Sequence, residues 1–168
     1  MNKIFKEEDG FTLLEIIAVL IVMGILAAVA VSRSLNYDVE VRSGADTLEM
    51  HLRYAQTLAM NSNSNVWGMS KSGSSYGLFG GTNTGNFSYL PEDGAYINAN
   101  RTINLTAKKI QLADFTVYFD NRGIPYTAYT NAANNTPLAV NGIITVSPLS
   151  GGTPTVNVTI TPLTGYIQ

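Results

Sequence analysis

From Phe11 to Val31 the chain reads FTLLEIIAVLIVMGILAAVAV, 21 residues whose single charge is Glu15. Coiled as an α-helix, such a run spans about 31 Å, close to the roughly 30 Å hydrocarbon core of a bilayer. The pattern predicts a membrane-inserted helix. Past it the periodicity changes without a break. Val41, Ala45, Leu48, Leu52, Ala55 and Ala59 alternate at spacings of four and three, one stripe of an amphipathic helix, and Arg42, Asp46, Glu49 and Arg53 fall off that stripe. The polar run Asn61-Ser62-Asn63-Ser64-Asn65 closes it. One helix is therefore expected from about Phe11 to Asn61, apolar all round in its first half and one-sided in its second.

From Val66 onward the period shortens towards two. Expected strands are Asn65–Met69, Tyr76–Phe79, Thr102–Leu105, Lys109–Leu112, Thr116–Asp120, Gly142–Ser147, Thr155–Thr161 and Tyr166–Gln168. Val156-Asn157-Val158-Thr159-Ile160 alternates apolar and polar, as a strand with one buried face must. Turns are expected at Gly80-Gly81, Asp120–Gly123, Asn134-Asn135 and Gly151-Gly152. About 100 residues of antiparallel sheet packed on the second half of the helix make an α+β domain. Trp67, Tyr76, Phe79, Tyr118, Phe119 and the other aromatic residues are expected to fill its core and sheet faces.

Composition narrows the functions. Of the 168 residues 13% are charged, about half the usual share, with ten basic against twelve acidic side chains and a net charge of −2. That balance excludes a broad basic footprint for nucleic acid. With no cysteine, thiol catalysis, disulfides and cysteine-based zinc sites are excluded. The one histidine, His51, sits beside the apolar stripe and reads as a packed or surface residue; no metal site and no cofactor are expected. The acidic pairs Asp38/Glu40 and Glu92/Asp93 read as solvated surface or turn carboxylates, with no catalytic pair among them. Asn and Thr, at 16 and 17 residues, supply an uncharged polar surface in their place.

Three readings compete for the apolar run. A removable secretory signal is favoured by the small-x-small sequence Ala28-Val29-Ala30, and opposed by the length of the run and by a leader without net positive charge. A plain anchor leaves Glu15 unexplained, because a carboxylate inside a bilayer costs about 2.5–3.5 kcal/mol and normally has a partner. A cut after Gly10 would place a new α-amino group on Phe11, four residues before Glu15 on the same helix face.

Gly10-Phe11-Thr12-Leu13-Leu14-Glu15 ahead of an apolar run resembles the class III signal of type IV pilins and type II secretion pseudopilins. The resemblance implies a pilin fold and a protein that is not an enzyme. A prepilin peptidase would cut between Gly10 and Phe11 and N-methylate Phe11, and Glu15 would pair with the N-terminal amine of a neighbouring subunit. Residues 1–10 would then be the leader, 11–31 the membrane and assembly helix, 32–61 its amphipathic continuation and 62–168 the β-rich domain. The chain departs from the family in its acidic Glu7-Glu8-Asp9 leader and in Ser32, which stands where many members have a helix-kinking proline.

Two further patterns resemble the H-type pseudopilin and FimT-like minor pilin group. Phe119-Asp120-Asn121-Arg122-Gly123-Ile124-Pro125 is similar to its F-x-x-x-G-x-P turn, and the ending through Pro162-Leu163-Thr164-Gly165-Tyr166 to its terminal strand pair. Gly123 and Gly165 would permit positive φ at these turns, with Pro125 and Pro162 fixing φ beside them. The resemblance implies a minor structural subunit of a type II secretion pseudopilus or type IV pilus. Its partners would be the peptidase-methyltransferase, other pilin-like subunits and the inner membrane, crossed once with the C-terminal domain outside the cytoplasm. Alternatives are a DNA-binding minor pilin, disfavoured by the lack of Lys or Arg after Arg122, and a secreted domain with an ordinary signal peptide.

Overall fold

The computed structural model of the chain describes residues 12–62 and 66–168, the side chains of 30–37 excepted. It divides into two units after Asn36. Helix α1 spans Leu13–Met60, 48 residues. Its first turn is closed by Thr12: the Glu15 amide donates to the Thr12 carbonyl at 3.0 Å and to the Thr12 hydroxyl at 3.3 Å. A hydroxyl that accepts from a backbone amide three residues on is how threonine caps a helix start. From Leu13 to Val29 every side chain is exposed, on all sides of the helix.

In the second unit the stripe of α1 is the floor of the core. Val41, Leu48, Leu52, Ala55 and Ala59 are fully buried and Ala45 nearly so. The described residues of this unit form ten strands, labelled β1 (Trp67–Ser72), β2 (Ser75–Gly80), β3 (Phe87–Ser88), β4 (Ile103–Asn104), β5 (Ile110–Leu112), β6 (Phe115–Phe119), β7 (Pro125–Asn131), β8 (Asn134–Pro137), β9 (Gly142–Pro148) and β10 (Val156–Ile160). All pairings are antiparallel. One sheet runs in the order β3-β2-β1-β6-β7-β8, with β4 also on β2; the other is β10-β9-β5.

Strand alternation assigns the two faces of the larger sheet. Met69, Tyr76, Leu78, Val117 and Phe119 join the helix stripe in the main core. Phe79, Tyr118, Tyr126 and Val66 form a second, aromatic cluster. Phe79 meets Tyr118 edge-on with ring centroids 5.1 Å apart, and Tyr126 meets Tyr129 likewise at 5.4 Å. From the smaller sheet Ile110, Leu112, Ile144, Val146, Val158 and Ile160 close the main core. The expected α+β layout, a helix packed on antiparallel sheet, is the observed one.

Every strand expected from the periodicity has a counterpart, the Tyr166–Gln168 segment as a bridge between Ile160 and Ile167. Strands β3, β7 and β8 were not expected. The β7–β8 hairpin is largely exposed beyond Tyr126, so it has no apolar alternation to betray it. Asn134-Asn135, expected as a turn, lies in β8. The turn is Ala132-Ala133, nucleated by Asn131, whose side-chain oxygen accepts from the amides of Ala133 at 3.0 Å and Asn134 at 2.8 Å.

Polar side chains flanking the buried stripe tie the helix to distant segments. The Gln56 amide nitrogen donates to the carbonyls of Gly123 at 3.0 Å and Gly165 at 3.1 Å. Arg53 donates to the Ile167 carbonyl at 2.8 Å and pairs with Glu49. Gly123 (φ 77°) and Gly165 (φ 62°) both hold positive φ. A Cβ on Gly165 would land on the Gly123 carbonyl and on Gln56. The two turns and the helix amide are thus one nested joint.

That joint sets a stability prediction. Gln56→Leu, which leaves two carbonyls without their donor, should cost about 1–3 kcal/mol. Gly165→Ala, which adds backbone strain and a clash, should cost at least as much. The urea midpoint of the detergent-solubilised chain, followed by tyrosine and tryptophan fluorescence, measures both.

Candidate functional site

The sequence places the chemistry of this chain at the start of α1. Gly10 and Phe11 lie outside the described residues. Glu15 does not: it occupies the first turn of the helix, exposed, with its carboxylate close to the amide-rich, electropositive end. Thr12-Leu13-Leu14-Glu15 has the T-x-x-E form of a capping box. Glu15 stands between two shallow grooves that are otherwise apolar. One is lined by Ala18, Val19, Val22 and Met23, the other by Ile16, Val19 and Leu20. Leu13, Leu14, Leu20, Met23 and Leu26 are each more than 60% exposed. An apolar surface of this extent is stable only against lipid or other protein. In either setting the carboxylate loses water and needs a cation or a proton. Among the described residues no helix is long and apolar enough to cross a membrane; the expected span begins at Phe11.

The polar clusters around His51, the acidic pairs and Asp120 in the second unit are structural in their bonding. His51 is fully buried, so the packed reading is the observed one. Its Nε2 lies 3.3 Å from the Pro91 carbonyl and its Nδ1 3.0 Å from the Tyr76 hydroxyl. A carbonyl only accepts, so Nε2 carries the proton and Nδ1 accepts from the Tyr76 hydroxyl. Burial holds the His51 pKa below its ordinary 6.5, against the opposing pull of the Pro91 hydrogen bond and the Glu92 charge. Burial likewise pushes the Tyr76 hydroxyl well above 10. With Nδ1 occupied by a hydroxyl of that kind, His51 is no base for catalysis.

The acidic pairs turn out to have partners that the sequence did not reveal. Glu92 pairs with Lys108 at 2.6 Å, both side chains nearly buried, and Lys108 also lies over the Tyr96 ring at 4.4 Å. Asp93 caps the short 3-10 helix Gly94–Tyr96 by accepting from the Ala95 amide at 3.0 Å. Asp38 pairs with Arg42 at 3.1 Å and Glu40 with Lys109 at 2.9 Å. Glu40, Glu92, Lys108 and Lys109 border an open cleft of about 380 Å³ between α1 and the 92–109 segment. Its two carboxylates already face its two ammonium groups, so the cleft presents no net charge to a ligand.

Asp120 organises the turn that ends β6. It accepts from the Arg122 and Ile124 amides at 2.9 Å each, from the Arg122 guanidinium at 3.0 Å and from the Tyr126 hydroxyl at 3.1 Å. Burial alone would raise its pKa, but these donors together hold it below the ordinary carboxylate value. This explains the F-D-N-R-G-I-P pattern: Asp120 closes the turn, Gly123 supplies positive φ and Pro125 opens β7. Among the described residues no group of three His, Asp or Glu side chains could hold a metal ion. Gln56, Arg53 and Lys108 were missed in the sequence because their partners lie far along the chain.

His51 carries a pH prediction. Its folded pKa lies below 6.5, so the unfolded chain binds more protons in the acid range. The histidine's contribution is therefore full above about pH 6.5 and lost progressively as pH falls below it. The urea midpoint should drop between pH 7.5 and pH 5.5, and His51→Gln should flatten that slope.

Comparison with known proteins gives one match. Residues 6–31 match the family model for the prokaryotic N-terminal methylation motif. No curated protein and no solved structure matches the chain. The motif belongs to membrane-anchored prepilin-type proteins, and it overlies the segment that holds Thr12, Glu15 and the bare apolar helix. The chain therefore carries the N-terminal signal of the type IV pilin and pseudopilin family, whose members are substrates of prepilin peptidase.

Proposed function

We infer that the protein is a structural minor pilin or pseudopilin, cut between Gly10 and Phe11, N-methylated on Phe11 and assembled through its N-terminal helix. Before assembly the helix anchors it in the inner membrane with the β-rich domain outside the cytoplasm. In the filament the apolar faces pack against helices of other subunits, and Glu15 pairs with the Phe11 amine of a neighbour. The observation that carries this reading is the lone carboxylate on an otherwise apolar, fully exposed helix, inside the matched motif. Once the helix is covered that carboxylate must be protonated or paired, and an α-amine of a neighbouring subunit supplies the pairing cation. The Asp120–Pro125 turn and the Pro162–Tyr166 turn, docked on Gln56, support placement in the H-type, FimT-like group.

The test separates processing from assembly. Wild type and Glu15→Ala, expressed in the native host, should both yield a mature N-terminus at methylated Phe11 by mass spectrometry. The variant should be lost from sheared filaments by about tenfold or more, as expected when one partner of a desolvated charge pair is removed. Normal incorporation of Glu15→Ala removes the assembly role, and a start at Met1 or Val31 in the wild type removes the prepilin route.

A further inference from the structure

The 46 residues from Gly123 to Gln168 contain no Asp, Glu, Lys, Arg or His. A typical stretch of that length would carry about eleven charges. This part of the chain includes the whole outer face of the smaller sheet apart from β5. Along it Thr145 opposes Asn157 and Ile143 opposes Thr159, while Val146, Val158 and Ile160 turn inward to the core. Thr145 and Asn157 share a side-chain hydrogen bond of 2.8 Å. The segment after β10 extends the face, since Thr159 exchanges backbone hydrogen bonds with Gln168 and the Thr161 amide donates to the Tyr166 carbonyl. Ile167 points into the core at 1% exposure, so Tyr166 stands outward, 59% exposed.

The backbone on either side of Tyr166 is firmly held. The Gly165 carbonyl before it is bound by Gln56, its own carbonyl by Thr161 and the Ile167 carbonyl after it by Arg53. Three consecutive carbonyls are thus tied, so the backbone that carries the ring loses little freedom on meeting a ligand. The face therefore combines an outward aromatic ring on a tied backbone, an exposed isoleucine and a row of hydroxyl and amide groups that donate and accept hydrogen bonds without charge.

We propose that this face is a binding surface for a neutral polysaccharide. Partners recognised through charge (nucleic acid, anionic lipid, acidic polymer) have nothing to grip here. Size argues against a second protein. Four strand segments about 4.8 Å apart make a strip only about 15 Å wide, narrower than the broad patch of a standard protein interface. A narrow chain of sugar rings fits that footprint. The C–H-rich face of one ring lies on Tyr166, and hydroxyl groups of its neighbours exchange hydrogen bonds with Thr159, Thr145 and Asn157.

The test uses the full chain in a polyoxyethylene detergent, because a sugar-headed detergent would compete. Retention is measured on three insoluble neutral glycans (cellulose, curdlan and mannan) and on heparin-agarose. The wild type should be held by at least one neutral glycan, undiminished by 0.5 M NaCl, and not by heparin. Tyr166→Ala should weaken retention about tenfold or more, while Tyr166→Phe, which keeps the ring, should preserve it. Thr159→Arg, which leaves the backbone pairing in place and puts a charge on the face, should abolish retention with an unchanged urea midpoint. Failure to bind all three glycans overturns the proposal, as does equal retention of Tyr166→Ala and Thr159→Arg. Salt-sensitive capture by heparin does so too, and so does a self-association equilibrium that Thr159→Arg abolishes, which assigns the face to a second copy.

Discussion

The second half of α1 is amphipathic, and almost everything in the β-rich unit follows from covering its stripe. Leu48 and Leu52 are fully buried there, each gaining about 1.5–3 kcal/mol by leaving water. The alanines at 45, 55 and 59 matter for the opposite reason: they are small, so strands can lie close. Both sheets send their apolar alternate residues to this one surface. The polar neighbours of the stripe then fix where each covering segment sits. His51 holds the Pro91 carbonyl, Arg53 the Ile167 carbonyl, and Gln56 the Gly123 and Gly165 carbonyls. Four carbonyls from three stretches of chain are thereby referenced to six residues of helix.

The first half of the same helix obeys the reverse rule. Its apolar side chains from Leu13 to Val29 are exposed all round. Such a surface is stable only when lipid or other protein covers it. Within it Glu15 is the one group whose hydration would be lost on packing, so it discriminates between correct and incorrect neighbours. An ill-matched helix leaves a buried charge, and a matched one supplies a cation. The cap formed by Thr12 fixes the helix start three residues before that carboxylate.

How much of this was legible depended on the range of the interaction. The stripe Val41–Ala59 could be read because helical periodicity is local, and all six of its positions are buried. Strands such as β10 could be read because burial on one face imposes a period of two. The β7–β8 hairpin could not, since little beyond Tyr126 is buried, and its turn residue Asn131 lay three positions from the Asn pair chosen instead. The partners of Glu92, Glu40 and Gln56 were invisible because ion pairs and side-chain-to-carbonyl bonds leave no pattern along the sequence. The processing motif stood out for a different reason: a peptidase must recognise it in linear form, whatever the rest of the chain does.

The ties between the helix and the terminal strands have a consequence in time. Gln56 and Gly165 are 109 positions apart, and Arg53 and Ile167 are 114. A chain that emerges N-terminus first therefore presents its amphipathic helix long before the strands that will shield it. Contacts so distant in sequence form late, because the intervening loop must first be closed. During that interval two adhesive surfaces coexist on one helix, the bare apolar half and the stripe destined for its own sheet. No cysteine is present to lock the late strands in place. Shelter for the first surface while the second finds its cover would keep the order of events right, so whatever covers the bare half also guards the folding of the domain.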